Sequence, residues 1–136
     1  YNNYLNKELV PVHSLKSVIA QIINCKKGES VGYNRSFFCK NDMKVGVIPI
    51  GHADGISRLF SKNAHGFISG KKAEVLGNIC MDVLMVNLNG LSCDEGDEVV
   101  VFDSKNNAED FAKSVGTISY EILTNLSSRI QRKIIR

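Results

Sequence analysis

Short apolar runs separated by turn-forming residues dominate the middle of this chain. MKVGVIPIG at 43–51 is apolar, is closed by glycine and is too short for a comfortable helix, so it predicts a buried strand. GFISGKKAEVLG at 66–77 sets a Ser-Gly-Lys-Lys turn between two apolar stretches and predicts a hairpin. VLMVNL at 83–88 and EVVVF at 98–102 predict two further strands, separated by a turn rich in Asn, Gly, Ser and Asp. Strands this short and this closely spaced point to a closed or sandwiched β domain. One segment is ambiguous. In LKSVIAQII, Leu15, Val18, Ile19, Ile22 and Ile23 fit the helical spacing, whereas the β-branched content and the Lys-Lys-Gly-Glu turn at 26–29 favour a strand.

The period changes in the C-terminal third. Asn107 is placed to cap a helix with Glu109 and Asp110 in its first turn, with Ala108, Phe111, Ala112 and Val115 on one face and Gly116 as the stop. A second short helix follows, with Ser119 as its cap and Ile122, Leu123 and Leu126 on the buried side. Residues 129–136 predict a last strand. Residues 1–11 are polar, end at Pro11 and read as a linker or arriving segment.

Composition narrows the class. At 136 residues with 43% hydrophobic content, the chain is long enough for one domain with its own core. A net charge of +3 falls short of the concentrated basic footprint of a nucleic-acid binder. The acidic run 94–98 and the basic tail of Arg129, Arg132, Lys133 and Arg136 read as solvated surface. Four cysteines, at 25, 39, 80 and 93, stand singly, with no Cys-x-x-Cys and no His pair at ligand spacing, so they predict free buried thiols in a reducing cytoplasm and no metal site. No apolar run reaches the roughly 18 residues of a membrane span, and no leader is evident. The chain opens at Tyr1 without methionine, which suggests a segment of something longer.

The candidate chemistry starts at GESVGYNRSFF, residues 28–38. Tyr33 lies between Gly32 and Asn34, two residues suited to a tight bend, so the phenol can be presented outward. It is accompanied by VGYNRSF (31–37), IPIGHADGISR (48–58), GNICMD (77–82) and GTISYE (116–121). This set, in this order, resembles the C-terminal domain of alanine racemase, from about Pro11 to Arg136. The resemblance implies a mainly β, Greek-key-like barrel or sandwich over 12–136 with two short helices, and it turns the ambiguous stretch at 14–25 into strand.

The family uses pyridoxal 5′-phosphate, held through a lysine in an N-terminal α/β barrel. This chain is far below the roughly 250 residues a barrel needs and offers no counterpart of that lysine segment. The resemblance therefore implies the second domain only, inactive alone, which in a head-to-tail homodimer completes the partner's alanine site. Inversion at Cα needs an acid/base on each face. The family's second base, a tyrosine, maps onto Tyr33. A phenol titrates near 10, so a useful base needs a nearby cation or donor; Arg35 is within reach if the segment is extended, and a donor from the missing barrel is an equal alternative.

Met81 matches the methionine whose backbone N–H holds the substrate carboxylate, and Tyr120 matches the tyrosine that donates to the cofactor phosphate. His52, Arg58 and Asp82 fall along the substrate entrance. His52 stands where the family has tyrosine. An imidazole is smaller and titrates near neutrality, which implies a wider entrance and an added pH dependence. Asn78 stands where many relatives carry an arginine. Two other readings remain: a non-catalytic β module for dimerisation or ligand recognition, and a racemase for another small amino acid such as serine. If the first reading holds, the surface around Tyr33 and Met81 should be exposed in the single chain.

Overall fold

The computed structural model describes residues 9–135; positions 1–8 of the expected linker, and Arg136, lie outside the described residues. Among the described residues there are nine short strands and two α-helices: β1 Leu15–Val18, β2 Gln21–Cys25, β3 Ser30–Val31, β4 Phe37–Phe38, β5 Met43–Ile48, β6 His65–Ile68, β7 Lys71–Glu74, β8 Leu84–Asn87, β9 Glu98–Phe102, α1 Ala108–Ser114 and α2 Ser119–Asn125. All strand pairs are antiparallel. They form a four-stranded sheet β1-β9-β6-β7, a three-stranded sheet β2-β5-β8 and the small ribbon β3-β4. The mainly β class with two C-terminal helices is the one expected.

The ambiguous stretch is two strands joined at a corner. The Ile19 N–H donates to the Asp97 carbonyl (2.9 Å) beside the first sheet, while the Ala20 N–H donates to the Val47 carbonyl (2.9 Å) in the second. The chain thus passes from one sheet to the other between these two residues, and the strand alternation restarts after the corner. Leu15, Ile19 and Cys25 point inward and Ile22 is half-buried. Their spacing of three to four residues explains why a helical period appeared in a segment that is all strand. On the opposite side, an isolated bridge between Val75 and Val86 joins the end of β7 to β8. The two sheets therefore meet at both edges over a core of Ile48, Ile56, Ile68, Ile79, Val86 and Phe102.

Three local expectations need correction. The hairpin turn is Ser69-Gly70, both with positive φ (49° and 76°) as a type I′ turn requires, so Lys71 and Lys72 belong to β7 rather than to the turn. Asn107 caps α1 as predicted, its Oδ1 accepting from the N–H groups of Glu109 (2.9 Å) and Asp110 (3.1 Å). Ser119, however, does not cap α2: it is the first helical residue and is buried, and Ile118 occupies the cap position without a side-chain hydrogen bond. The Thr117 hydroxyl donates to the Glu121 carboxylate instead. Residues 129–135 are not a strand. The Arg132 guanidinium folds back onto the carbonyls of Leu126, Ser127 and Ile130, at 2.9–3.1 Å, so this tail bonds to itself and not to a ladder.

Candidate active site on three linked loops

Three loops converge. The first, 32–36, is a tight turn closed by the Arg35 N–H donating to the Gly32 carbonyl (3.2 Å). Asn34, third in that turn, has φ 57°, the left-handed value a type II turn asks of this position, and Tyr33 occupies the tip. Gly32 itself has φ 80°, and a Cβ there would stand 3.0 Å from the Asn78 nitrogen and the Gly77 Cα. The close approach exists because the turn is fastened to the loop 77–82. The Tyr33 N–H donates to the Asn78 carbonyl (3.1 Å), and the Asn78 N–H donates to the Ser36 hydroxyl (2.6 Å). Tyr33 thus hangs from a residue three positions before Met81.

The second loop, 51–61, packs on the same segment. The His52 N–H donates to the Cys80 carbonyl (3.0 Å) and the Ala53 N–H to the Met81 carbonyl (2.8 Å). Two 3-10 turns, His52–Asp54 and Arg58–Phe60, carry His52 and Arg58, two of the three expected entrance residues. Ser61 ties the second turn down: its hydroxyl donates to the Arg58 carbonyl (2.7 Å) and accepts from the Ile79 N–H (3.1 Å).

Tyr33 is 54% exposed and Met81 59%, so both side chains face outward as expected for a surface that is completed elsewhere. The Met81 carbonyl is engaged, but its N–H donates to no described residue, which leaves a backbone donor free for an anion. The cation beside the Tyr33 ring is Arg58, whose guanidinium carbon lies 5.2 Å from the ring centroid. Arg35 does not take that position. With φ 52° the segment is not extended, and the Arg35 side chain donates to the Ser30 hydroxyl (3.1 Å) and lies over Phe38.

Tyr120 is 56% exposed near the start of α2, and its phenol bonds to no described residue. It makes no hydrogen bond or ring contact with Tyr33 or Met81, and it offers one free donor of the kind an anionic phosphate accepts. No cluster of three or more His, Cys, Asp or Glu that could hold a metal ion occurs among the described residues. Cys25, Cys39 and Cys93 are buried free thiols and Cys80 is half-buried. No described helix is long and apolar enough to cross a membrane.

Arg129, expected on the solvated surface, is instead paired with two aspartates. Its Nε donates to Asp54 Oδ1 (2.6 Å), and Nη2 reaches both Asp54 Oδ2 (3.1 Å) and Asp82 Oδ1 (2.7 Å). Asp54 is buried and also accepts from the Gly51 N–H (2.8 Å). Burial disfavours its charge, but the Arg129 bonds and the Gly51 N–H outweigh that and hold its carboxyl below the ordinary value. The bonds to Asp54 and then Asp82 push the Arg129 guanidinium up. Asp82, expected at the entrance, is exposed but committed to this pair. A fragment of loop around each aspartate was visible in sequence; the arginine 47 or more residues away had no local signal.

Residues 12–134 match the family model for the alanine racemase C-terminal domain. The alanine racemase 1 of Clostridium acetobutylicum is 39% identical over 139 residues, covering 98% of this chain and 36% of the relative. Among solved structures, an alanine racemase of Clostridium difficile 630 in complex with cycloserine superposes with a TM-score of 0.83 at 37% identity, over 90% of this chain and 33% of that one. The alanine racemase of Bartonella henselae, with covalently bound pyridoxal phosphate, gives 0.85 at 30% identity, over 90% and 34%. This chain spans about a third of the length of the relatives it matches, and it belongs to the alanine racemase C-terminal domain family.

Proposed function

We propose that this chain works as the C-terminal domain of a pyridoxal-phosphate-dependent alanine racemase and lends Tyr33 to a partner subunit's active site in a head-to-tail homodimer. The observation that carries the reading is the pairing of an outward phenol with a free backbone N–H on linked loops: Tyr33 is fastened to Asn78, and Met81 follows three residues later. The relatives' names supply the activity and the substrate; the Bartonella henselae structure supplies the cofactor.

When bound, the cofactor supplies the electron sink that makes the amino acid's Cα proton removable. Each residue of this chain then has a bounded task. The Tyr33 hydroxyl oxygen takes the proton from, or returns it to, the L face of Cα. Arg58 over its ring keeps the phenol in one orientation. The Met81 N–H binds the substrate carboxylate, which fixes Cα relative to that oxygen. The Tyr120 phenol donates to the cofactor phosphate. His52 lines the approach, and Asp82 stands there with its carboxylate held by Arg129. None of these residues replaces a cofactor lysine, so the isolated domain is inactive. On this reading the activity lies in the cytoplasm, with D-alanine for cell-wall peptidoglycan as its product.

The test is deuterium entry at Cα of L- and D-alanine in heavy water, comparing the full-length protein with Tyr33→Phe. Exchange from L-alanine should fall by about 10²–10⁴-fold, far more than from D-alanine. Equal loss from both enantiomers would remove Tyr33 from the L face. A full-length protein that exchanges neither would favour the non-catalytic module, and one that prefers serine would favour the racemase for another amino acid.

A further inference from the structure

Arg129 sits in an irregular tail, yet it is the only described residue whose side chain pairs with both the 51–55 and the 80–82 segments. The tail is itself held in shape. Ser127 N–H donates to the Asp54 carbonyl (3.1 Å), and a Cβ on Gly55 would come within 2.3 Å of the Asn125 carbonyl oxygen, so the tail lies directly on the 51–55 loop. Arg132 bonds three carbonyls of the same tail, which presents Arg129 in a fixed direction. From there one guanidinium takes Asp54 in a two-pronged grip and reaches Asp82, the neighbour of Met81, with the same outer nitrogen. A planar fork suits this double contact: an ammonium at the Nη2 place could touch both carboxylates, but without the Nε bond to Asp54 it would not fix the direction of the grip.

We propose that Arg129 is a positioning residue, a clamp that locks the 51–55 loop to the Met81 loop and thereby fixes the Met81 N–H relative to Tyr33. The catalytic consequence rests on the racemase reading above; the clamp itself does not. Only two backbone bonds otherwise join these loops directly, His52 to Cys80 and Ala53 to Met81. Cutting the clamp releases Asp82 and leaves the buried Asp54 carboxylate with the Gly51 N–H alone, so both loops loosen together.

The experiment uses the full-length protein and its Arg129→Gln, Arg129→Lys and Asp82→Asn variants, with hydrogen exchange of peptides covering 51–54 and 79–83 measured beside alanine kinetics and thermal unfolding. Arg129→Gln should speed exchange in both segments and raise the KM for alanine about tenfold, with a smaller change in kcat. Asp82→Asn should loosen only 79–83 and raise KM about fivefold without shifting the unfolding temperature appreciably. Arg129→Lys should recover the unfolding temperature but keep the raised KM, the mark of positioning rather than bulk stability. The clamp is overturned if exchange in the two segments is unchanged in Arg129→Gln, or if it rises evenly across the β core. A wild-type protein with no alanine turnover would sink the racemase reading, while the exchange data would still decide the clamp.

Discussion

The guanidinium carbon of Arg58 lies 5.2 Å from the centroid of the Tyr33 ring, and the turn that carries Arg58 is fixed through Ser61 to the loop of Asn78 and Met81. The contact joins two residues 25 positions apart that the expected chemistry treats separately, one as acid/base and one as an entrance group. A cation held over a ring restricts the ring's rotation and position, and at a partly solvated site it contributes modestly. Arg58→Met keeps the apolar stem and removes the charge, so the kcat/KM for alanine in the full-length protein should fall about threefold. Arg58→Lys should lie between the two. Steady-state kinetics in both directions checks this; a Met variant as active as wild type would make the contact incidental.

Gly51 shows why the 51–61 loop can sit so close to Met81. A Cβ there would lie 2.5 Å from the Cys80 carbonyl oxygen and 2.6 Å from that of Met81, both backbone atoms that cannot turn away. Gly51→Ala should therefore force the loops apart, destabilise the protein by about 1–3 kcal/mol and weaken the two bonds from His52 and Ala53. Chemical denaturation reads the first effect. An unchanged midpoint would mean that the loops separate freely, against the packing described.

Asp54 gives a pH dependence with a definite sign. Its folded-state carboxyl is held below the ordinary value of 3.8: burial opposes the charge, while the Arg129 side chain and the Gly51 N–H favour it more strongly. A depressed carboxyl contributes stability that is fully present well above 3.8 and is lost as pH falls through the lower folded value. Unfolding free energy should thus decline below about pH 4, and Asp54→Asn should flatten that part of the profile while costing about 1–3 kcal/mol near neutrality. Urea titrations from pH 2.5 to 7 on both proteins provide the comparison. An identical acid limb in the Asn variant would transfer the effect to other carboxylates.

The 66–77 hairpin, though not the bounds of its turn, and α1 were legible because their signals are local. Ser69-Gly70 and the Asn107 cap each act within about four residues. The corner at Ile19-Ala20 was not, since its cause is the pairing of adjacent residues with different sheets, at Asp97 and Val47. The tail failed for a related reason: Ile130, Ile134 and Ile135 have strand-like chemistry, but Arg129 is drawn to Asp54 and Asp82 and Arg132 to the carbonyls of Leu126, Ser127 and Ile130, which hold the segment in an irregular path. The outward placement of Tyr33 could be read from its Gly-Tyr-Asn setting. Which cation approaches its ring depended on the left-handed backbone at Arg35, which sends that side chain to Ser30 and Phe38 and leaves the place to Arg58.

His52 offers a test of the approach to the site. Its backbone is fixed by the bond to the Cys80 carbonyl, but its exposed ring makes no hydrogen bond or ring contact with another described residue. In the proposed reading the side chain sets the width of the approach, and it makes no bond that supports the fold. A tyrosine at this position is longer by a ring edge and a hydroxyl, and the fixed backbone leaves it little choice but to project into the same space. His52→Tyr should leave thermal stability unchanged and lower the kcat/KM for L-serine relative to L-alanine by about tenfold, the scale set by small steric differences in a substrate pocket. Competing the two substrates against the full-length protein measures that ratio directly. If the ratio stays constant in the variant, the imidazole does not widen the approach, and the departure at this position has no bearing on substrate size.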